Sequence, residues 1–258
     1  MRLFVALGCT RRMLSAQYKD CWTPFFTVDG ADTTQCGATM LFLVIKDGDG
    51  RVVPLAIAFV KSESTASWTW FLEQARDAYD MLASDGVVIM GDGAEAISAA
   101  VMAALPAARR MYCLKHRLRN IARTFAASGT ADALYSNFAR AAFTYHVTTF
   151  RKAMVEIELL GQKELAYVQE RPANTWSNAH VCLLTGGCVT SNDAGERQRA
   201  RWRGGCGDTC PAWHACHRVI QCHDQGGASN STIHVSPADL GHKYLGPTHQ
   251  SRMRACRV

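Results

Sequence analysis

Two aspartates and a Cys–His pair are the residues of this chain whose types and surroundings could do chemistry. Asp29 closes the apolar run Phe25-Phe26-Thr27-Val28 and is followed by Gly30. Asp92 follows the run Val87-Val88-Ile89-Met90 and lies between Gly91 and Gly93. Both runs read as buried strands, and a glycine beside an acid lets backbone and cation approach closely. Carboxylates at the ends of adjacent strands would stand about 5 Å apart, the inter-strand spacing. They repel unless a cation or a proton lies between them. Hard oxygen donors in an open cleft suit Mg²⁺ or Mn²⁺. A pair of such ions can activate a nucleophile and stabilise the leaving oxygen in phosphodiester chemistry. The plainer reading is that both acids close turns. Asp32, Asp47 and Asp49 read as turn or solvent acids, and Glu63 as charge support for the helix that follows it.

Cys113 and His116 open a helix with the spacing of two zinc ligands, although a structural zinc site needs four. His146, His180, Cys182 and Cys188 are candidates to complete it, and spacing selects none of them. The alternative is a core cysteine beside a packed histidine. Around this pair, Arg109, Arg110, Lys115, Arg117, Arg119 and Arg123 fall in a stretch of 15 residues that contains no acid. Lys115, Arg119 and Arg123 recur every four residues, which lines them along one helix face as a phosphate-tracking stripe or as a solvated surface.

These residues need elements to hold them. With 258 residues, 48% of them hydrophobic, the chain can build a substantial core, which excludes a disordered regulator. No apolar run is long enough to span a bilayer, and the short basic-apolar start reads as a strand or helix rather than a secretion signal. Strands are expected over 25–30, 38–46, 51–60, 87–90 and 109–112. Asp47-Gly48-Asp49-Gly50 is a turn between antiparallel neighbours, and Pro54 marks a position whose amide is not needed in the ladder. Helices are expected over 64–83, where Trp68, Phe71, Leu72, Ala75 and Tyr79 share a face, over 94–105, and over 113–125. From 131 to 170 the spacing is helical throughout. Three tightly connected strands followed by alternating strand and helix predict an α/β fold, a mixed sheet with helices on its faces, as in ribonuclease-H-like proteins. That order sets the strand of Asp29 beside the strand of Asp92.

The segments in this order resemble the transposase domain of Mutator-like elements, the MULE type. The resemblance runs over about 25–194. It rests on Val28-Asp29-Gly30, Pro54-Leu55-Ala56-Ile57-Ala58-Phe59, Ser62-Glu63-Ser64 with Trp68-Thr69-Trp70-Phe71-Leu72, Met90-Gly91-Asp92, Leu105-Pro106, Cys113-x-x-His116-x-x-x-Asn120, Trp176, and Thr190-Ser191-Asn192-x-Ala194. Residues 1–24 form a lead-in. The resemblance implies a ribonuclease-H-like fold with a helical insertion over about 121–190, an Asp-Asp-Glu triad beginning with Asp29 and Asp92, and Mg²⁺ or Mn²⁺ as cofactor. It implies metal-dependent hydrolysis at transposon ends and transfer of the freed 3′-hydroxyl to target DNA. The implied partners are terminal-repeat and target DNA, with a homo-oligomer as a candidate assembly, no membrane, no organic cofactor, and a nuclear location. Zn²⁺ at Cys113 and His116 is a further candidate.

The chain departs from the family at the third acid. After Thr-Ser-Asn-x-Ala the family text runs Glu-Ser-x-Asn, whereas here it runs Gly195-Glu196-Arg197-Gln198. Gly195 takes the catalytic position, and Glu196, the nearest acid, is displaced by one residue, about 100° around a helix. The composition changes at the same place. Residues 195–258 hold nine Lys and Arg against four acids, five of the 11 cysteines, and only seven Leu, Ile, Val and Phe. Their Cys206, Cys210, His214, Cys216, Cys222 and His223 lack a zinc-knuckle spacing. Read one base out of frame, Gly-Glu-Arg-Gln codons permit Glu-Ser-x-Asn. The expectation is therefore a domain truncated at its third acid, followed by a frame-shifted or disordered tail. Two alternatives stand beside an impaired transposase: a catalytically inactive, domesticated or degenerate DNA-binding remnant, and a ribonuclease-H-like nuclease outside transposition. The gene's nucleotide sequence across codons 185–205 is expected to spell Glu-Ser-x-Asn in the shifted frame; a shifted frame that spells anything else would end the frameshift account.

Overall fold

The computed structural model describes residues 2–7, 22–33, 38–47, 52–181 and 231–235. Its strands, in chain order, are β1 (Arg2–Leu7), β2 (Trp22–Thr33), β3 (Ala38–Asp47), β4 (Val52–Val60), β5 (Val88–Gly91), β6 (Arg109–Tyr112) and β7 (Ser231–Val235). They form one mixed sheet in the order β6-β5-β2-β3-β4-β1-β7. The pairs β2–β3 and β3–β4 are antiparallel, as short connections allow, and β1 lies antiparallel to β4 across a long stretch of chain, while β2–β5 and β5–β6 are parallel, with helices in their crossovers. The arrangement is consistent with a ribonuclease-H-like fold. The five expected strands all form. Two more join them: β1 from the lead-in, and β7 from the tail, parallel to β1. Tail residues 231–235 therefore add a strand to the sheet. Gly195, Glu196 and the rest of the tail, where the frameshift is expected, lie outside the described residues.

Pro54 sits where expected. It pairs with Val44 at a register shift between Leu43 and Val44, a bulge that spares the ladder its missing amide.

Two helices cover one face of the sheet: α1 (Thr65–Ala78) and α2 (Glu95–Ala104). Trp68, Phe71, Leu72 and Ala75 of α1 are fully buried against Phe26, Leu41, Leu43 and Ile45 of the sheet and Ile97 and Val101 of α2. The α1 helix stops earlier than the periodicity predicts. Tyr79 turns extended and donates its hydroxyl proton to the Leu55 carbonyl at 2.6 Å, and a 3₁₀ turn over Asp80–Ala83 follows. A buried phenol must find a partner, and here it finds one by leaving the helix. On the opposite face, Phe25, Val88, Met90, Met111 and Cys113 form a smaller core closed by Val181.

The helical section folds into α3 (Leu114–Thr124), α4 (Ala131–Phe143), α5 (Val147–Leu160), α6 (Gln162–Gln169) and the short α7 (Asn178–Val181). Their own core joins Leu114, Leu118 and Ile121 of α3 to Leu134, Phe138, Phe150, Ile157 and Trp176. The Trp176 ring lies 4.7 Å from Phe138 and 5.8 Å from Phe150, centroid to centroid. The helical layer thus begins at Leu114, earlier than the expected boundary near 121, because α3 turns its apolar side to the insertion. Among the described residues no helix is long and apolar enough to cross a membrane.

Ser64 caps α1: its Oγ accepts the Ser67 amide at 3.1 Å. Ser64→Ala is expected to destabilise the fold by about 1 kcal/mol, the usual worth of an N-cap, read as a lower midpoint at unchanged slope in urea unfolding.

Candidate active site

The parallel register of β2 on β5 places the acids. Phe25 pairs with Val88, Phe26 with Ile89 and Thr27 with Met90. The same register carried two residues further sets Asp29 level with Asp92. The β2 strand continues to Thr33, so Asp29 lies within it rather than at its end, whereas β5 stops at Gly91. Beyond that point the edge of β2 opens into a cleft of about 540 Å³, whose lining includes Asp29, Glu63, Asp92, His116, Arg119 and Arg123.

Each aspartate is fixed by a backbone amide. Asp29 Oδ1 accepts the Gly30 N–H at 3.0 Å, and Asp92 Oδ1 accepts the Ala94 N–H at 2.9 Å. Asp32, expected at a turn or in solvent, is exposed and lies within β2 opposite Thr39, whose hydroxyl it accepts at 3.0 Å. Glu63 departs from its expected role. Instead of supporting α1 it folds back over Gly30, so that a methyl group built on Gly30 would lie 1.8 Å from Glu63 Oε1. A side chain at position 30 would push the carboxylate from this seat. Glu63 is exposed overall, but its acid end lies in the cleft. Desolvation there, and then the charges of Asp92, Asp29 and Asp32, raise its pKa; the nearby Trp68 indole opposes the rise.

Cys113 is fully buried at the start of α3, and its amide donates to the Gly91 carbonyl at 2.8 Å. Its thiol hydrogen-bonds the His116 imidazole, which is the first cause of a raised His116 pKa; desolvation opposes it, and Asp29 and Asp92 add to it. His116 lines the cleft together with Asp29 and Asp92. Among the described residues no group of three His, Cys, Asp or Glu is placed to hold a metal ion. His180, one of the candidate completing ligands, packs edge-on against Phe150 instead, with ring centroids 4.3 Å apart. Cys182 and Cys188 lie outside the described residues. The Cys113–His116 pair thus sets an imidazole on the lining of the cleft, its Nδ1 buried without a hydrogen-bond partner.

The six basic residues divide. Arg109, Arg119 and Arg123 are exposed, and the last two line the cleft. Lys115 is half-buried and outside the lining, so the stripe reaches the cleft with two members rather than three. Arg110 and Arg117, expected on DNA, are committed inside the protein. Arg110 donates to the carbonyls of Asp92 and Met111, and burial brings its pKa down to about 10. Arg117 is 5% exposed, donates to the carbonyls of Tyr167 at 3.1 Å and Val168 at 3.3 Å, and lies over the rings of Phe138, Tyr167 and Trp176. Its burial lowers its pKa as well. A spacing rule finds basic residues but cannot tell a solvent-facing guanidinium from one that satisfies buried carbonyls.

The backbone geometry, the acids and the Cys–His pair all fall in one stretch, and that stretch has a known pattern. Residues 25–120 match the MULE transposase domain. The MULE match carries Asp29, Glu63, Asp92, Cys113 and His116, and ends inside α3, before the helical insertion. No curated protein matches the chain.

Because the fold raises the Glu63 pKa, the folded state holds that proton more tightly than the unfolded chain. Stability therefore falls as pH rises from the ordinary carboxylate range through the raised folded value. Glu63→Gln removes this loss. Its melting temperature is expected above that of the wild type near neutral pH, with the two converging below about pH 4, where the carboxyl is protonated in both states. A variant no more stable than wild type near neutral pH would contradict the crowded-acid reading.

Proposed function

We propose that this chain is a transposase-derived protein whose cleft serves metal-dependent cleavage and transfer of DNA strands at transposon ends, impaired by the change at the third acid. One observation carries the reading: within the MULE-matching stretch, the β2–β5 register brings Asp29 and Asp92 level at a cleft whose rim holds Arg119 and Arg123.

The donor chemistry fits a hard divalent cation. Asp29 and Asp92 present carboxylate oxygens in a cleft open to solvent, and no soft ligand intrudes between them among the described lining residues. They are the residues that would hold Mg²⁺ or Mn²⁺, and Glu63 stands beside them. Such an ion supplies charge neutralisation and activation of the attacking oxygen. The chain's own residues do the rest. Amides of Gly30 and Ala94 hold the two carboxylates in place, His116 sets an imidazole on the cleft wall, and Arg119 and Arg123 hold the strand's phosphates. The domain reading is a lead-in over 1–24, the catalytic domain over 25–194 and an atypical tail over 195–258. DNA is the partner, and the nucleus the compartment where it is met.

The position of Gly195, where the family has its glutamate, favours a second reading, a catalytically inactive DNA-binding remnant. Two experiments separate them. The purified chain with Mn²⁺ and terminal-repeat duplex is expected to nick weakly or not at all; vigorous nicking that Asp92→Asn abolishes would refute impairment. Arg119→Ala with Arg123→Ala is expected to lower the slope of log affinity against log salt by about two, one for each phosphate no longer neutralised, irrespective of DNA sequence. An unchanged slope would leave both as ordinary solvated surface.

A further inference from the structure

We propose that Arg171 is a positioning residue for Asp92, acting through Tyr112 and Arg110 to couple the docking of the helical layer to the loop that carries the second acid. The functional weight of this coupling rests on the reading of Asp92 as a working acid; the coupling itself is a separate matter of structure.

Tyr112 ends β6 and is 7% exposed. Two guanidinium groups stand over its ring, Arg110 and Arg171, each with Cζ 4.8 Å from the centroid. Arg110 belongs to the sheet. It donates to the carbonyls of Asp92 and Met111, and to that of Ile89 at 3.4 Å, which ties the end of β5 and the start of the following loop to β6. Room for its head is made by Gly91, where a Cβ would lie 3.4 Å from Arg110 Nη2 and 2.9 Å from Val28 Cγ2.

Arg171 belongs to the helical layer. Its carbonyl accepts the Trp176 indole N–H at 3.0 Å, and Trp176, 1% exposed, is a centre of the helical core. Its side chain leaves that core. Nη1 donates to the Tyr112 hydroxyl at 3.2 Å, and Nη2 lies 3.6 Å from Glu95 Oε2 and from Glu170 Oε1. Glu95 is the first residue of α2, so the Asp92–Glu95 loop is touched at one end by Arg110 and at the other by Arg171.

The ring contact, rather than the ion pair, transmits position. Glu95 is 79% exposed, and a pair so wetted holds little. The phenol is buried and both guanidinium groups pack on its ring, so a shift of Arg171 bears on Arg110 through that ring. Arg171 makes no hydrogen bond or ion pair with the Asp92 carboxylate among those described, which is why its role is positioning.

The Ala94 amide, bonded to Asp92 Oδ1, reports the state of the loop. Backbone amide exchange of the full chain is expected to show Ala94 faster by about tenfold in Arg171→Gln and in Tyr112→Leu, with amides of α1 within about twofold of wild type. Tyr112→Phe, which keeps the ring, and Glu95→Gln, which removes only the wetted pair, are expected to stay within about threefold at Ala94. Unchanged Ala94 exchange in Arg171→Gln would overturn the proposal. So would acceleration at Ala94 equalled throughout α1, which signals general loosening. Should Arg171→Gln fail to fold, Tyr112→Leu against Tyr112→Phe decides by the same criterion. A Mn²⁺ titration of wild type and Asp92→Asn, run alongside, tests the site reading separately: absence of binding in both would defeat that reading and leave the exchange result intact.

Discussion

One parallel pairing, β2 against β5, is the constraint on which the rest depends. Parallel strands need a long crossover, and here the crossover carries β3, β4 and α1 before the chain returns at Val88. The antiparallel steps make β2 and β4 run in the same direction, and β5 runs with them. Each of these three strands delivers an acid toward one end of the sheet: Asp29 within β2, Glu63 just after β4, Asp92 just after β5. A slip of β5 by one residue against β2 would turn Ile89 out of the core and separate the aspartates by the same step. The apolar core on one face and the acids at one end therefore specify the same register.

Gathering carboxylates costs free energy, and the surroundings offset it by fixed dipoles and cations. Backbone N–H groups of Gly30 and Ala94 meet the aspartates, His116 lines the cleft with them, and Arg110 is buried beneath Asp92. The same economy of burial explains Arg117. Its guanidinium reaches a part of the helical layer whose carbonyls would otherwise lack partners, and aromatic faces take the place of water around the charge. Its Nη1 remains without a hydrogen bond, and the Trp68 indole has none of good geometry.

The strands around Asp29 and Asp92 were legible because buried strands are short, apolar and bounded by turn residues, and the α1 face was legible because it repeats at helical spacing. Other features depended on distances along the chain that no local pattern carries. Glu63 could have been found from topology: it follows the third of three strands, and an up-down-up order returns that end beside Asp29. Composition near Glu63 says only that a helix is starting. Arg110 and Arg117 look the same in sequence as Arg119 and Arg123; Arg110 is claimed by carbonyls of the neighbouring strand and loop, and Arg117 by the helical layer some 50 residues away. The β7 strand was hidden because Ser231-Thr-Ile-His-Val is too short and too isolated in a polar tail to signal pairing with β1 at the other end of the chain.

The α3 helix belongs to two bodies at once. It begins where β6 ends, with Cys113 in the core under the sheet and Leu114 in the core of the helical layer, one residue apart. The boundary of the recognised pattern, at residue 120, falls inside that helix. A fragment trimmed to the pattern would lose Ile121 and Phe125 and present Leu114 and Leu118 to water, an apolar stripe with nothing to cover it. The natural unit of this architecture is accordingly larger than its signature. Exchange of helical insertions between such chains, in evolution or by engineering, would have to carry α3 along, and with it the histidine that lines the cleft.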